Sequence, residues 1–178
     1  MRKTFRILLV ILATTLSTGA HAAEQLSLFG AQLTYTNPNP QVWHKDEERR
    51  ESAKGLFALK HVGLSDTGGN TTYPVLVIIY EQLPGPAQSL EDFARMARQR
   101  APFPAEDIIT ENDRIIYFCR FTFDTPHDLV IAHFLFEGNG IQVMGDASTT
   151  VYGEGEGDFK QFIDSIHFQK SSAQQPAQ

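Results

Sequence analysis

The apolar positions of this chain fall into short runs with two different periods. Between Arg114 and Ser148 three runs follow one another, RIIYFCRFTFD, HDLVIAHFLFE and GIQVMGDAS. Their length and alternation predict antiparallel strands. Gly138-Asn139 separates the second run from the third, and both residue types tolerate the positive φ of a tight hairpin. A two-residue turn there pairs Phe136 with Ile141, Phe134 with Val143 and Ala132 with Gly145. Thr125-Pro126 is the expected turn of the preceding hairpin. It pairs Phe123 with Asp128, Phe121 with Val130, Cys119 with Ala132 and Tyr117 with Phe134. Both hairpins then put the same positions of the middle strand inward, and a slip of one residue would invert them. The opposite face is expected to hold Ile116, Phe118, Arg120, Leu129, Ile131, His133, Leu135, Gln142, Met144 and Asp146. The middle strand is thus apolar on both sides, which predicts a cover on each. Arg120 and Asp146 flank Ile131 and are expected to pair diagonally.

The period becomes helical after Asp158. Phe159, Phe162, Ile163 and Ile166 lie at i, i+3, i+4 and i+7, the stripe of a helix that closes over the strands. His167-Phe168 is expected to form a last short strand. Residues 169–178 are polar and are expected to be disordered.

Upstream, Leu26–Tyr35 reads as one bent strand or two short ones around Phe29-Gly30. Asn37-Pro38-Asn39-Pro40 stops it, because proline lacks the ladder donor and restrains its predecessor. Trp43 follows in a loop or short turn, where a plug at one edge of the core is preferred to an aromatic binding platform. KDEERRESAK, from Lys45 to Lys54, holds four basic and four acidic residues. It predicts a solvated segment with at most a turn or two of helix. Gly55–Val62 alternates as a strand does. Tyr73–Glu81, with its run PVLVIIY, predicts a buried one. The intervening Leu64–Thr72 is loop, and its Gly68-Gly69 lacks the Gly-Lys-Ser/Thr of a phosphate loop. Ser89 caps a helix, with Asp92 at the capping-box position. Leu90, Phe93, Ala94 and Ala97 make its apolar face, and Pro102 and Pro104 end it. Arg95, Arg98 and Arg100 complement the helix dipole rather than marking an anion site.

The first residues change the picture of where the chain works. Arg2, Lys3 and Arg6 precede the short apolar run Ile7–Leu16, and Ala20-His21-Ala22 fits a cleavage site, so residues 1–22 are expected to be an export signal. The run is too short for an ordinary membrane span. A mature chain of residues 23–168 is expected to be one domain in the bacterial periplasm or outside the cell, without stable membrane insertion. Without Arg2, Lys3 and Arg6 the chain keeps 12 basic against 21 acidic residues, a formal charge of −9. That charge disfavours nucleic acid and anionic lipid as partners and is compatible with another protein.

Candidate chemistry is sparse. Cys119 is the single cysteine; alternating with Tyr117 and Phe121, it is expected to be buried and inert. The histidines His44, His61, His127, His133 and His167 are scattered without metal-ligand spacing. His127-Asp128 is the nearest acid–base pair, but adjacent strand residues point to opposite faces. Cys119 and His133 are expected to face opposite ways, which disfavours a Cys–His couple. Glu154, Glu156 and Asp158, in a loop, supply too few ligands for an EF-hand calcium site and are expected to favour the N-terminus of the following helix. No catalytic residue, metal site or cofactor is expected. The rival is a hydrolase or metal enzyme using His133, His127 or Glu81.

The stretches LTYTNPNPQVW, YPVLVIIYE followed by SLEDFARMARQ, and the strands ending in FKQFIDSIHF resemble the PsbP-like superfamily, which includes the DcrB-like exported proteins of bacteria. The resemblance implies an α+β fold, a curved antiparallel sheet with helices packed on both faces. It also implies a non-catalytic role in binding or assisting other proteins, and it carries over no functional residue. The expected function is therefore that of an exported accessory protein, not an enzyme. The alternatives are a periplasmic immunity protein that neutralises a secreted toxin and a carrier of a small ligand held between sheet and helix.

Overall fold

The computed structural model describes residues 22–28, 31–52, 56–64, 73–81, 89–100, 105–111, 113–122 and 125–169. The expected export signal up to residue 21, the Phe29-Gly30 break, the Gly68-Gly69 turn and the tail after Gln169 lie outside the described residues.

Ten strands and three helices are described. In chain order they are β1 (Ala23–Leu28), β2 (Ala31–Thr36), β3 (Trp43–Lys45), α1 (Glu47–Ser52), β4 (Leu56–His61), β5 (Val75–Glu81), α2 (Leu90–Arg100), β6 (Ala105–Thr110), β7 (Ile115–Thr122), β8 (Pro126–Phe136), β9 (Asn139–Ser148), α3 (Tyr152–Asp164) and β10 (His167–Gln169). Seven strands form one antiparallel sheet in the order β3-β4-β5-β9-β8-β7-β6, and a second sheet has the order β1-β2-β10. The single curved sheet expected from the sequence is thus corrected to two. The first run does split into two strands, which pair with each other, Leu26 opposite Leu33.

The β8–β9 hairpin keeps the expected faces but not the expected pairs. Glu137 (φ 49°) and Gly138 (φ 76°) are the turn residues. Phe136 therefore pairs with Asn139, Phe134 with Ile141 and Ala132 with Val143. Moving a two-residue turn by one position shifts the pairing by two, which preserves every face. The β7–β8 hairpin behaves differently. Thr122 pairs with Pro126, Cys119 with Leu129 and Ile116 with Ala132. Pro126 opens the strand, the place where its missing N–H costs no ladder bond. Three residues now separate the paired ends instead of two. That odd change turns β7 over, so Ile116, Phe118 and Arg120 join the face of Val130 and Ala132, whereas Tyr117 and Cys119 join that of His133. Arg120 consequently pairs with Asp128 and not Asp146.

Each face of the large sheet has its own cover. On one face α3 and the small sheet share a core with Phe57, Leu76, Ile78, Phe134, Ile141 and Val143. α3 lies so close to β9 that a Cβ on Gly145 would sit 2.4 Å from Cγ of Phe159. On the other face Phe93 of α2 fills the space above Gly140, where a Cβ would meet its ring at 2.4 Å. Only glycine fits under either ring. The Ser89 cap is formed, its Oγ accepting from the Asp92 N–H at 3.1 Å.

α3 starts six residues earlier than expected. Gly153, Gly155 and Gly157 each weaken a helix by about 1 kcal/mol relative to alanine. Burial of Phe159, Phe162 and Ile163 contributes about 2 kcal/mol per side chain and offsets this. Ser165 ties off the helix end, donating to the Phe162 carbonyl at 2.7 Å and accepting from the Thr36 N–H at 2.9 Å. Trp43, 1 % exposed, is the expected plug. Its Nε1–H donates to Asp158 at 2.6 Å, and its ring meets His61 and Phe159 edge-on at 5.0 and 6.0 Å.

Candidate functional site

α3 covers β9 and the near half of β8 but stops short of the sheet's β6 end. What it leaves is an open groove of about 410 Å³. Ile116, Phe118 and Val130 form the floor, Ile109 one wall, and the Tyr152–Gly153 and Glu156–Gly157 turns of α3 the other. Gly153 and Gly157 meet nothing within 4 Å at their Cβ positions, so the helix offers bare backbone to this space. Glu111, Glu156, Lys160 and Asp164 are its polar lining. Arg114 joins two of these, pairing with Glu111 at 2.6 Å and Asp164 at 2.9 Å. The Tyr152 hydroxyl is buried without a hydrogen-bond partner, and burial raises its pKa. A mostly apolar concavity with a few polar groups is the form of a ligand or peptide site.

A second constellation lies on the other face. His127 points to Asp146, not to its neighbour Asp128, with Nδ1 2.8 Å from the carboxylate. That contact places the proton on Nδ1 and leaves Nε2 to accept from the Thr125 hydroxyl, 3.3 Å away. The pair borders a cleft of about 150 Å³ lined also by Asp46, Arg49, Lys60, Tyr73 and Val75. Arg49 pairs with Asp46 at 3.3 Å.

The remaining candidates are not brought together. Cys119 and His133 share a face, against expectation, because β7 is turned over. They remain far apart along the ladder, opposite Leu129 and Ile115 respectively. Burial raises the Cys119 thiol to about 11, so it is no thiolate nucleophile at neutral pH. His133 is fully buried, stacked on Tyr117 and edged by Phe93, each at 5.1 Å. Glu154, Glu156 and Asp158 belong to α3 and do not form a loop, so the acidic loop that a calcium site would need is missing. Among the described residues no three His, Cys, Asp or Glu side chains cluster to hold a metal. The Glu81 side chain lies outside the described residues.

Sequence reasoning misses the groove because it misses two of its walls. It assigns no strand after Pro104, where β6 lies. It starts the helical stripe at Phe159, although Tyr152, Gly155, Phe159, Phe162 and Ile166 continue one periodic series upstream. That series is the available signal.

The architecture is an α+β fold built mainly on antiparallel sheet. No protein-family model and no curated protein sequence matches the chain. Solved structures do. LpqN of Mycobacterium tuberculosis, described as involved in cell envelope biogenesis, is 14% identical over 83% of this chain and 91% of its own, with a TM-score of 0.57. A point variant of the protein Mog1 is 8% identical over 82% of this chain and 95% of its own, with a TM-score of 0.51. A structure from Bacteroides thetaiotaomicron is 10% identical with a TM-score of 0.52; it matches 78% of this chain, which spans about half of it, 46%. At these identities the likeness is one of fold. No helix among the described residues is long and apolar enough to cross a membrane.

Proposed function

We propose that this chain is an exported accessory protein of the cell envelope that works by binding another protein, without catalysis, and that the groove beside α3 is where it binds. The observation that carries this reading is the groove itself, an apolar floor and bare helix backbone left open in an otherwise covered face. Membership of the PsbP-like superfamily is supported by helices against opposite faces of an antiparallel sheet and by the likeness to Mog1 and LpqN. An envelope location agrees with the description of LpqN.

Gly157→Phe tests it, because the new ring enters open space and removing a helical glycine should not weaken the fold. Quantitative cross-linking in envelope extract is expected to recover a partner with the wild type and to lose it with Gly157→Phe at unchanged Tm. Equal recovery would remove the groove as the place of binding, and recovery of no partner with the wild type would sink the reading. A small molecule carried in the groove by the wild type, detected by native mass spectrometry, would replace it with the carrier alternative.

A hydrolase is the second reading, favoured by the Thr125–His127–Asp146 relay. In it Thr125 Oγ attacks an acyl carbon as His127 Nε2 takes its proton, which passes to the leaving alkoxide; water, giving a proton to the same nitrogen, then attacks the Thr125 ester, and that proton returns to Thr125 Oγ as the acid leaves. The expected result is hydrolysis of p-nitrophenyl acetate that His127→Ala lowers about 100-fold. Identical rates for the two proteins dismiss this reading.

A further inference from the structure

β6 is the last strand of the large sheet, and its outer edge has no partner among the described residues. Edge strands are usually blunted against pairing by bulges, charges or covering segments. Here a register shift places a bulge between Ala105 and Asp107, but from Asp107 to Thr110 the strand pairs regularly with β7. In that regular part Ile108 and Ile109 are 50% and 46% exposed, two of the four large exposed apolar residues described. Ile109 shares the groove face with its partner Ile116, and Ile108 shares the opposite face with Tyr117. The edge thus presents free backbone groups flanked by an apolar side chain on each side.

Its charge is one-sided. Glu106 and Asp107 lie on the strand, and Glu111 follows it. Glu156 looks across from α3. On the groove side the neighbouring cations are already engaged: Arg114 by Glu111 and Asp164, Lys160 by Asp164, Arg120 by Asp128; Arg98 of α2, which has no ion pair among the described residues, acts on Tyr117 on the opposite face. Glu106, Asp107 and Glu156 have no ion-pair partner among the described residues. Such an edge repels a second copy of itself and attracts a segment that carries cations.

We propose that a partner protein adds an extended segment of alternating basic and apolar residues to the free edge of β6. This rests on the protein-binding reading and specifies its mode. Main-chain hydrogen bonds to β6 supply affinity, and alternate side chains supply selectivity. Basic residues on the groove face meet Asp107 and Glu156, and apolar residues on the opposite face lie beside Ile108. Partner binding by this mode is weakened by salt, because its cations meet exposed carboxylates.

The probe is a blocked peptide of alternating lysine and valine, with a glutamate–valine peptide as its control. With the lysine peptide, amide exchange at residues 107–110 is expected to slow about tenfold at saturation. The Asp107→Lys variant is expected to bind it about tenfold more weakly. Unchanged exchange on β6, or equal protection by the acidic peptide, overturns strand addition. So does protection that appears without peptide and follows protein concentration in sedimentation, since the occupant is then a second copy. If β6 is not protected while Gly157→Phe still abolishes partner recovery, the groove reading stands and only its mode falls. If β6 is protected and Gly157→Phe has no effect, the groove reading falls and strand addition stands.

Discussion

Gly145→Val is expected to destabilise the protein by about 3 kcal/mol, at the upper end of what overpacking a close-packed core costs. The reason is geometric. A Cβ there would lie 2.4 Å from Phe159 Cγ, 2.7 Å from Cδ1 and 2.8 Å from Cβ, so the root of the side chain blocks it as well as the ring. The ring has no room to retreat, with Trp43 and Tyr152 packed around it at 6.0 and 5.4 Å. Phe159→Ala alone is expected to cost about 4 kcal/mol by leaving a cavity. The double variant is expected to cost at least about 1 kcal/mol less than the two single costs together, because the valine occupies part of that cavity. Urea unfolding of the four proteins measures this, with Gly145→Ala in place of Gly145→Val if the latter does not fold. Strict additivity would mean that α3 does not rest on β9 at this point.

Acid is expected to weaken the fold through His133. Burial is the main cause that lowers its pKa to about 4 from an ordinary 6.5; a weak approach to the Ile115 backbone opposes the shift, and Arg98 adds to it. Neither ring nitrogen has a hydrogen-bond partner of good geometry. Between those two pH values the unfolded chain binds a proton that the folded one refuses. The stabilisation is complete above about pH 6.5 and declines as pH falls toward about 4, by about 3 kcal/mol in all. His61 is lowered too, chiefly by burial, with Asp158 and Glu154 opposing, and it steepens the same decline. The diagnostic comparison is therefore with His133→Leu, whose unfolding free energy should fall by about 3 kcal/mol less over this window. At pH 7 the variant gives up no side-chain hydrogen bond, so it should remain folded. Parallel pH profiles for the two proteins would show that protonation of His133 is cheap, as it would be if α2 opened readily.

The sequence is most informative where one apolar face is deeply buried. Alternation puts the β8 and β9 residues Ala132, Phe134, Ile141 and Val143 on one face, as the structure does, even though the turn lies one residue earlier than expected. Face assignment there rests on alternation within long runs, and an even shift leaves it intact. β7 lacks that guide, and its expected register is inverted. IIYFCRF is apolar at almost every position, so alternation cannot say which side is which, and the loop length before Pro126 decides. β6 is illegible for a different reason. Only Ala105 is partly covered and the rest of the strand is exposed, so it carries no burial pattern. Its strand character comes from pairing with β7. The groove inherits this, since one wall is an exposed strand and the other a helix half whose glycines argue against a helix.

Trp43 and Asp158, bonded across the core, are 115 residues apart in the chain. Thr36 and Ser165 are 129 apart, and β2 completes its sheet only with β10. A ribosome delivers these halves in order. The first strands therefore emerge long before the helix and strand that complete their surroundings exist, and the tryptophan must stay wet until then. Contacts of such separation slow folding. Such a fold cannot close until its last strand, β10, has been made.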